Sequence, residues 1–286
     1  MRPTVPCLFA LFAASAAMAA PAAKPAATPA ASGSYESAFT AYQKGDYATA
    51  LKLMKPLAEG GNVNAQYNVG AMYNNALGVK ADHTEAAKWY KMAVAKGNVF
   101  AQVDLARLYE FGQGVPKDYK EAMRLFQLAA AQKNATAELH IAAMNDGGLG
   151  VPQNYKEAAK WYKLSADHGN DEAQYNLALM YQSGRVMPQD AKQAAAWYRK
   201  AADQGNASAQ LNLGALYYAG QGVNKDLKEA AKWMRQSAQQ GNGRAQFNLA
   251  MMYAQGEGVP MDFPRALVWF SAASTTLTGE IGRAHV

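Results

Sequence analysis

Apolar side chains recur along this chain at helical spacing and, above that, at a longer period. In the stretch VNAQYNVGAMYNNALGVKADHTEAAKWYKMAVAKGN, which starts at Val63, residues Ala65, Val69, Met72 and Tyr73 stand at i, i+4, i+7 and i+8. That spacing puts them on one face of a helix. A glycine-bearing turn follows, then a second helical stretch with Trp89 near its middle. The five tryptophans fall at 89, 161, 197, 233 and 269, every interval a multiple of 36 residues, and Leu125 holds the skipped rung. One structural unit is therefore copied along the chain, at 63–98, 99–134, 135–170, 171–206, 207–242 and 243–279, the last copy incomplete. A chain of 286 residues would ordinarily suggest one or two globular domains. Copies that pack mainly on their neighbours instead predict a single all-α array.

The polar punctuation agrees from copy to copy. Helix A is expected from about Asn64 to Asn75 and helix B from about His83 to Lys96. The turn between them carries glycines, as in Gly112-Gln-Gly114-Val115-Pro116 and Gly256-Glu-Gly258-Val259-Pro260. Glycine permits the positive φ of a tight reversal, and proline cannot continue a helix. Helix B opens with Asp82…Glu85, Asp118…Glu121, Asn154…Glu157, Asp190…Gln193 or Asp226…Glu229, the spacing of a reciprocal capping box. It closes on Gly-Asn pairs such as Gly97-Asn98 and Gly205-Asn206, the glycine suited to a left-handed terminus and the asparagine to capping the next helix. Two copies drift, with Lys133 replacing a glycine, Asn145 replacing a tyrosine, and Val186 replacing the second turn glycine. Looser packing is expected there.

Outside the array, residues 1–19 carry Arg2, an apolar stretch from Cys7 to Met18 and a small-x-small end at Ala17-Met18-Ala19, the pattern of a secretory leader cleaved after Ala19. Residues 20–34 are Ala/Pro-rich and predict a flexible linker. Residues 35–62 form a shorter helical pair resembling a tetratricopeptide repeat, expected to cap the array. Glu280 to Val286 fits no part of the repeat and equals the translation of a widely used sequencing adapter, so it is expected to be a non-native tail, the alternative being a short native one. The leader predicts a periplasmic or secreted protein without stable membrane insertion. Cys7 is the only cysteine and leaves with it, which excludes disulfides, thiol nucleophiles and thiolate metal ligands. The net charge of +6, one less without Arg2, is modest for the length and together with export argues against nucleic acid.

The recurring string Ala-Gln-x-x-Leu-(Gly/Ala)-x-(Met/Leu)-Tyr…Gly-x-Gly-Val…Asp…Glu-Ala…Trp-Tyr…Ala…Gly-Asn, from Tyr35 to about Ser274, resembles the Sel-one-like repeat family, relatives of tetratricopeptide repeats. The resemblance implies a right-handed α-solenoid of stacked antiparallel helix pairs, with helix A on the concave side and helix B on the convex. It also implies an adaptor that gathers partner proteins.

Within that frame two columns of helix A stand out. Position 67 points roughly opposite the core face at 100° per residue, yet its column is apolar: Tyr67, Val103, Leu139, Tyr175, Leu211, Phe247. The next position is polar: Asn68, Asp104, His140, Asn176, Asn212, Asn248. An apolar ladder beside an amide ladder suits an extended peptide, whose backbone bonds to amides while alternate side chains enter apolar pockets. The competing interpretation is internal: an inner solenoid helix touches neighbours on two sides, and asparagine bonds across repeats. On helix B, the Trp column and the aromatics after it are expected to be core. A basic stripe (Lys156/Lys160/Lys163, Lys228/Lys232/Arg235) is expected to be a solvated face, because Glu157 and Glu229 sit three residues before Lys160 and Lys232.

Catalytic signatures are missing. The four histidines have no metal-ligand spacing, and neither a Gly-x-Ser-x-Gly elbow nor a Ser-x-x-Lys occurs. No cofactor or metal is expected. The sequence thus predicts a non-enzymatic, monomeric, exported scaffold that binds a polypeptide on its concave face through the 67 and 68 columns. Two alternatives remain: an envelope hydrolase or penicillin-interacting protein of the kind claimed for cysteine-rich relatives, and a carbohydrate-binding factor using Tyr67 and Tyr175.

Overall fold

In the computed structural model the described residues run from 32 to 284. The expected leader and residues 20–31 lie outside them, as do residues 285 and 286. Among the described residues there are helices only: α1 Ser32–Gln43, α2 Tyr47–Glu59, α3 Val63–Asn74, α4 His83–Val94, α5 Val99–Phe111, α6 Tyr119–Ala130, α7 Ala135–Gly147, α8 Tyr155–Asp167, α9 Asp171–Ser183, α10 Ala191–Asp203, α11 Ala207–Ala219, α12 Leu227–Gln239, α13 Gly243–Gln255 and α14 Phe263–Ala284. This is an all-α solenoid of tandem hairpins with the 36-residue period. α1 begins within the last three residues of the expected linker. Two compact units form, one ending at Asn154 with α7 and one starting at Tyr155 with α8. The division falls inside the third copy, one of the two that drift in sequence.

The start and stop signals act much as their chemistry dictates. Asn62, Asn98, Asn134, Asn170, Asn206 and Asn242 each accept the backbone N–H three residues on, at 2.8–3.0 Å. Asp82, Asp118, Asp190 and Asp226 cap helix B likewise. The reciprocal half of the capping box does not form. The cap's own N–H already donates to helix A of the same repeat, Asp82 to the Tyr73 carbonyl and Asp226 to that of Tyr217. Released from that duty, Glu85 accepts from Lys88 and from the Trp89 indole at 3.1 Å.

The aromatic column is the core. Trp89, Trp197 and Trp233 are buried, as are Leu125, Tyr90, Phe126 and Tyr198. Trp161 and Trp269 are half-buried. The basic stripe is solvated: Lys160–Glu157 and Lys232–Glu229 pair on the surface at 2.7 and 3.1 Å. Such exposed pairs contribute at most about 1 kcal/mol each.

A second column, not foreseen from the sequence, carries glutamine through this core. Gln66, Gln174, Gln210 and Gln246 are buried, and each donates its amide to the carbonyl eight residues back, in the preceding helix B, at 3.0–3.2 Å. In turn Gln174 and Gln210 accept from Gln204 and Gln240, thirty residues on, at 2.9 and 2.8 Å. The acceptor carbonyls also take a backbone N–H at each helix end, so the ladder chiefly pairs the buried glutamine amides themselves and ties each helix A to the preceding helix B.

The second turn glycine has a reason beyond its φ. A Cβ on Gly222 would stand 2.0 Å from the Ala191 carbonyl oxygen, and one on Gly258 would stand 1.9 Å from that of Leu227. The turn thus presses on the start of the previous repeat's helix B. Val186 has no positive φ, and beside it Arg185 stacks on Tyr155 at 4.2 Å. Lys133, by contrast, keeps the left-handed geometry at φ 61 although it is not glycine. Gly222→Ala should therefore lower the thermal midpoint at a cost above about 2 kcal/mol, and Lys133→Gly should raise it, by up to about 1 kcal/mol. Circular-dichroism melts of the two variants check both signs.

Candidate functional site

The helix A stripe takes different surroundings in the two units. In the first, eight consecutive residues of α3, Ala65 to Met72, are buried. A helix enclosed on every side is the mark of an inner layer. Tyr67 is 2 % exposed, its ring 5.9 Å from Tyr90 and 5.7 Å from Phe100. Val103 and Leu139 are buried too. The expectation that position 67 faces away from the core is therefore wrong here, because helix B of the same repeat and helix A of the next close over it. With its ring enclosed, Tyr67 cannot stack on a sugar.

The polar column in this unit is turned inward. Asn68 donates to the Tyr35 hydroxyl at 2.7 Å, and burial pushes that phenol up to about 12. His140 stacks on Phe126, centroids 4.5 Å apart, with Nδ1 3.0 Å from the Glu110 carboxylate, and both residues are in the interior. Asp104 lies beside the hydroxyls of Tyr67 and Tyr90. Burial holds its carboxyl above the usual carboxylate range, and Arg107 and the two hydroxyls offset that only in part.

In the second unit the same stripe opens. Asn176 is buried and Tyr175 half-buried, with the Tyr175 ring 5.9 Å from that of Tyr198. Asn212 is half-buried and donates to the Tyr198 hydroxyl at 3.0 Å. Among the described residues, the Asn248 amide meets only the Met234 sulfur, at 3.9 Å, a weak acceptor. Phe247 is 46 % exposed, one edge against Phe270 at 5.5 Å. Between α11 and α13 runs a groove of two adjoining lobes, each about 320 Å³, which share Ala215 and Asn248. Leu211, Phe247 and Leu277 line one lobe, and Met234, Met251 and Met252 the other. An aromatic face, thioethers and an uncommitted amide can hold an apolar chain and bond its backbone. Of the nine candidates, the structure gathers Asn212, Phe247 and Asn248 at this groove. It places Tyr67, Asn68, Asp104 and His140 in internal contacts of the first unit, and Tyr175 and Asn176 in the walls of the second. Arg244, Met234 and Met251 were missed because they recur in no column, and Met252 because its column, with Met72, Met144 and Met180, reads as core. The signal that could have found Arg244 and Met251 is the stripe 244, 247, 248, 251, 255 along α13.

The raised carboxyl of Asp104 fixes a sign. Between its ordinary and its native titration range the folded state binds more protons than the unfolded one, so stability falls as pH rises through that window. Asp104→Asn, the residue this column has in four other repeats, should stabilise the chain at neutral pH and flatten that slope. Urea midpoints measured across pH for both proteins test it. An unchanged slope contradicts the assignment.

Comparison with known proteins fits this architecture. The Sel1 repeat model matches residues 63–98, 99–134, 135–170, 171–206, 207–242 and 243–275. A protective antigen of uropathogenic Escherichia coli with an SLR fold is 33% identical, with a TM-score of 0.78 over 86% of this chain; the chain spans 53% of that antigen's length. A Sel1 repeat protein from Oxalobacter formigenes is 30% identical, with a TM-score of 0.73 over 84% of this chain and 96% of its own. The Pseudomonas aeruginosa immunity protein PA5088, 23% identical with a TM-score of 0.50 over 76% of this chain and 82% of its own, shares the fold alone. Among curated proteins none matches. Sel1 repeat arrays are generally protein-interaction scaffolds, and the solenoid is typically non-catalytic. No described helix is long and apolar enough to cross a membrane. Six tandem copies with this fold and these identities leave one assignment: the chain belongs to the Sel1 repeat family.

Proposed function

We propose that the chain is an exported, periplasmic or secreted, scaffold that captures an extended polypeptide in the groove between α11 and α13. The leader-like pattern at residues 1–19 supports export. The observation that carries the binding reading is the exposed Phe247 beside a nearly uncommitted Asn248, on a stripe whose counterparts at 67 and 68 are closed off. An apolar side chain at the rim of an apolar groove is a surface that a partner's apolar side chains can cover. Phe247 is the apolar anchor, and Asn248 is the amide that bonds the passing backbone.

Panning a random dodecapeptide library on the pure protein should enrich apolar sequences. Phe247→Asp should weaken those peptides at least about tenfold, the scale of losing one buried aromatic contact, with the helical circular-dichroism signal unchanged. No enrichment, or enriched peptides that bind the variant equally well, would end the proposal.

A further inference from the structure

The groove has charge at both ends and little in between. At the α13 N-terminal end Arg244 lines the first lobe, exposed, and no described carboxylate stands within ion-pair range of it. At the other end, just past the α13 terminus, Glu257 lines the second lobe. It accepts the Tyr218 hydroxyl at 2.6 Å and makes no ion pair with a described cation. Lys225 lies over the Tyr218 ring, 5.8 Å from its centroid. Between them the wall is uncharged, with Leu211, Ala215, Phe247, Met251 and the amide of Asn248 along its length.

The eleven helical steps from Arg244 to Gln255 rise about 16 Å at 1.5 Å each, and Glu257 lies two residues past the helix end. An extended strand spans about 16 to 20 Å in about five to six steps of 3.3 Å, and only an even number of steps puts its first and last side chains on the same side. We infer that the groove selects an extended polypeptide segment with opposite charges at its two ends: an acidic side chain at Arg244, about five mostly apolar residues across Phe247, Asn248 and Met251, and a basic side chain at Glu257. This rests on the peptide-capture reading above and adds sequence class to it. Alternate side chains of a strand point to opposite sides, so two of the central residues face the two lobes while the others stay outside. Unmatched end charges steer orientation more than they add affinity. A segment with like charges at both ends would set one of them against a like charge at Arg244 or Glu257.

The test uses the full chain and three capped, fluorescein-labelled heptapeptides that share five central apolar residues, one with an acid at one end and lysine at the other, one with acids at both ends and one with lysines at both ends, followed by polarisation. The protein should prefer the mixed-end peptide over either like-charged one by about fivefold, the scale of one rim charge pair changing sign. Arg244→Glu should shift the preference to the peptide with lysine at both ends, and molar salt should erase it. Equal binding of all three to both proteins would overturn the end-charge selection while leaving peptide capture standing. If none of them, nor an uncharged apolar heptapeptide, binds, peptide capture fails as well, and this inference with it.

Discussion

A two-helix hairpin of this length cannot hide its own indole, and every other feature of the chain answers to that constraint. Trp89 is buried in one cluster with Tyr35, Met54 and Ala58 of the preceding hairpin, and Lys163 and Arg199, each in the preceding helix B, lie over the rings of Trp197 and Trp233. Truncating such a side chain costs about 3–5 kcal/mol, so neighbouring repeats are held to one another by the term that holds each repeat together. The turn glycines follow from it, since close stacking brings the Gly222 and Gly258 backbone against the preceding helix B. So does the glutamine ladder, whose buried amides find their acceptors in the preceding helix B.

Close stacking also decides what is left for recognition. In the first unit the inner helices are enclosed, and their polar column is spent on Tyr35, on the tyrosines around Asp104 and on Glu110. In the second, the buried residues of α11 and α13 lie on one side only. The same two columns can therefore be a latch in one unit and a groove wall in the other. Which role a column takes depends on what packs over it rather than on its own residue type.

Much of the fold was legible. The Trp period, the Asn caps and the Gly-Asn junctions placed the helices to within a residue or two, because each signal is local and each recurs. The candidate site was legible only in part, for a physical reason. A helical wheel for α3 assigns one buried face, and Tyr67 falls opposite it. Burial there is nevertheless all round, since α3 has neighbours on several sides. Identical amides at 68 and 248 likewise conceal different partners, a tyrosine hydroxyl and a thioether. The reciprocal capping box failed for a similar reason: the Asp82 N–H is claimed by Tyr73, a partner nine residues back that no short motif encodes. Arg244 and Glu257 matter through isolated charge, which a search for repetition passes over.

The central claim is that one column is sealed at its start and open at its end. The chain's sole cysteine, Cys7, makes this directly measurable. With Cys7 replaced by serine, single cysteines introduced at positions 67, 103 and 247 can be timed against a thiol reagent under native conditions. The structure predicts that position 247 reacts at close to the rate of an unfolded control, whereas positions 67 and 103 are protected by orders of magnitude. Comparable rates at all three would contradict it.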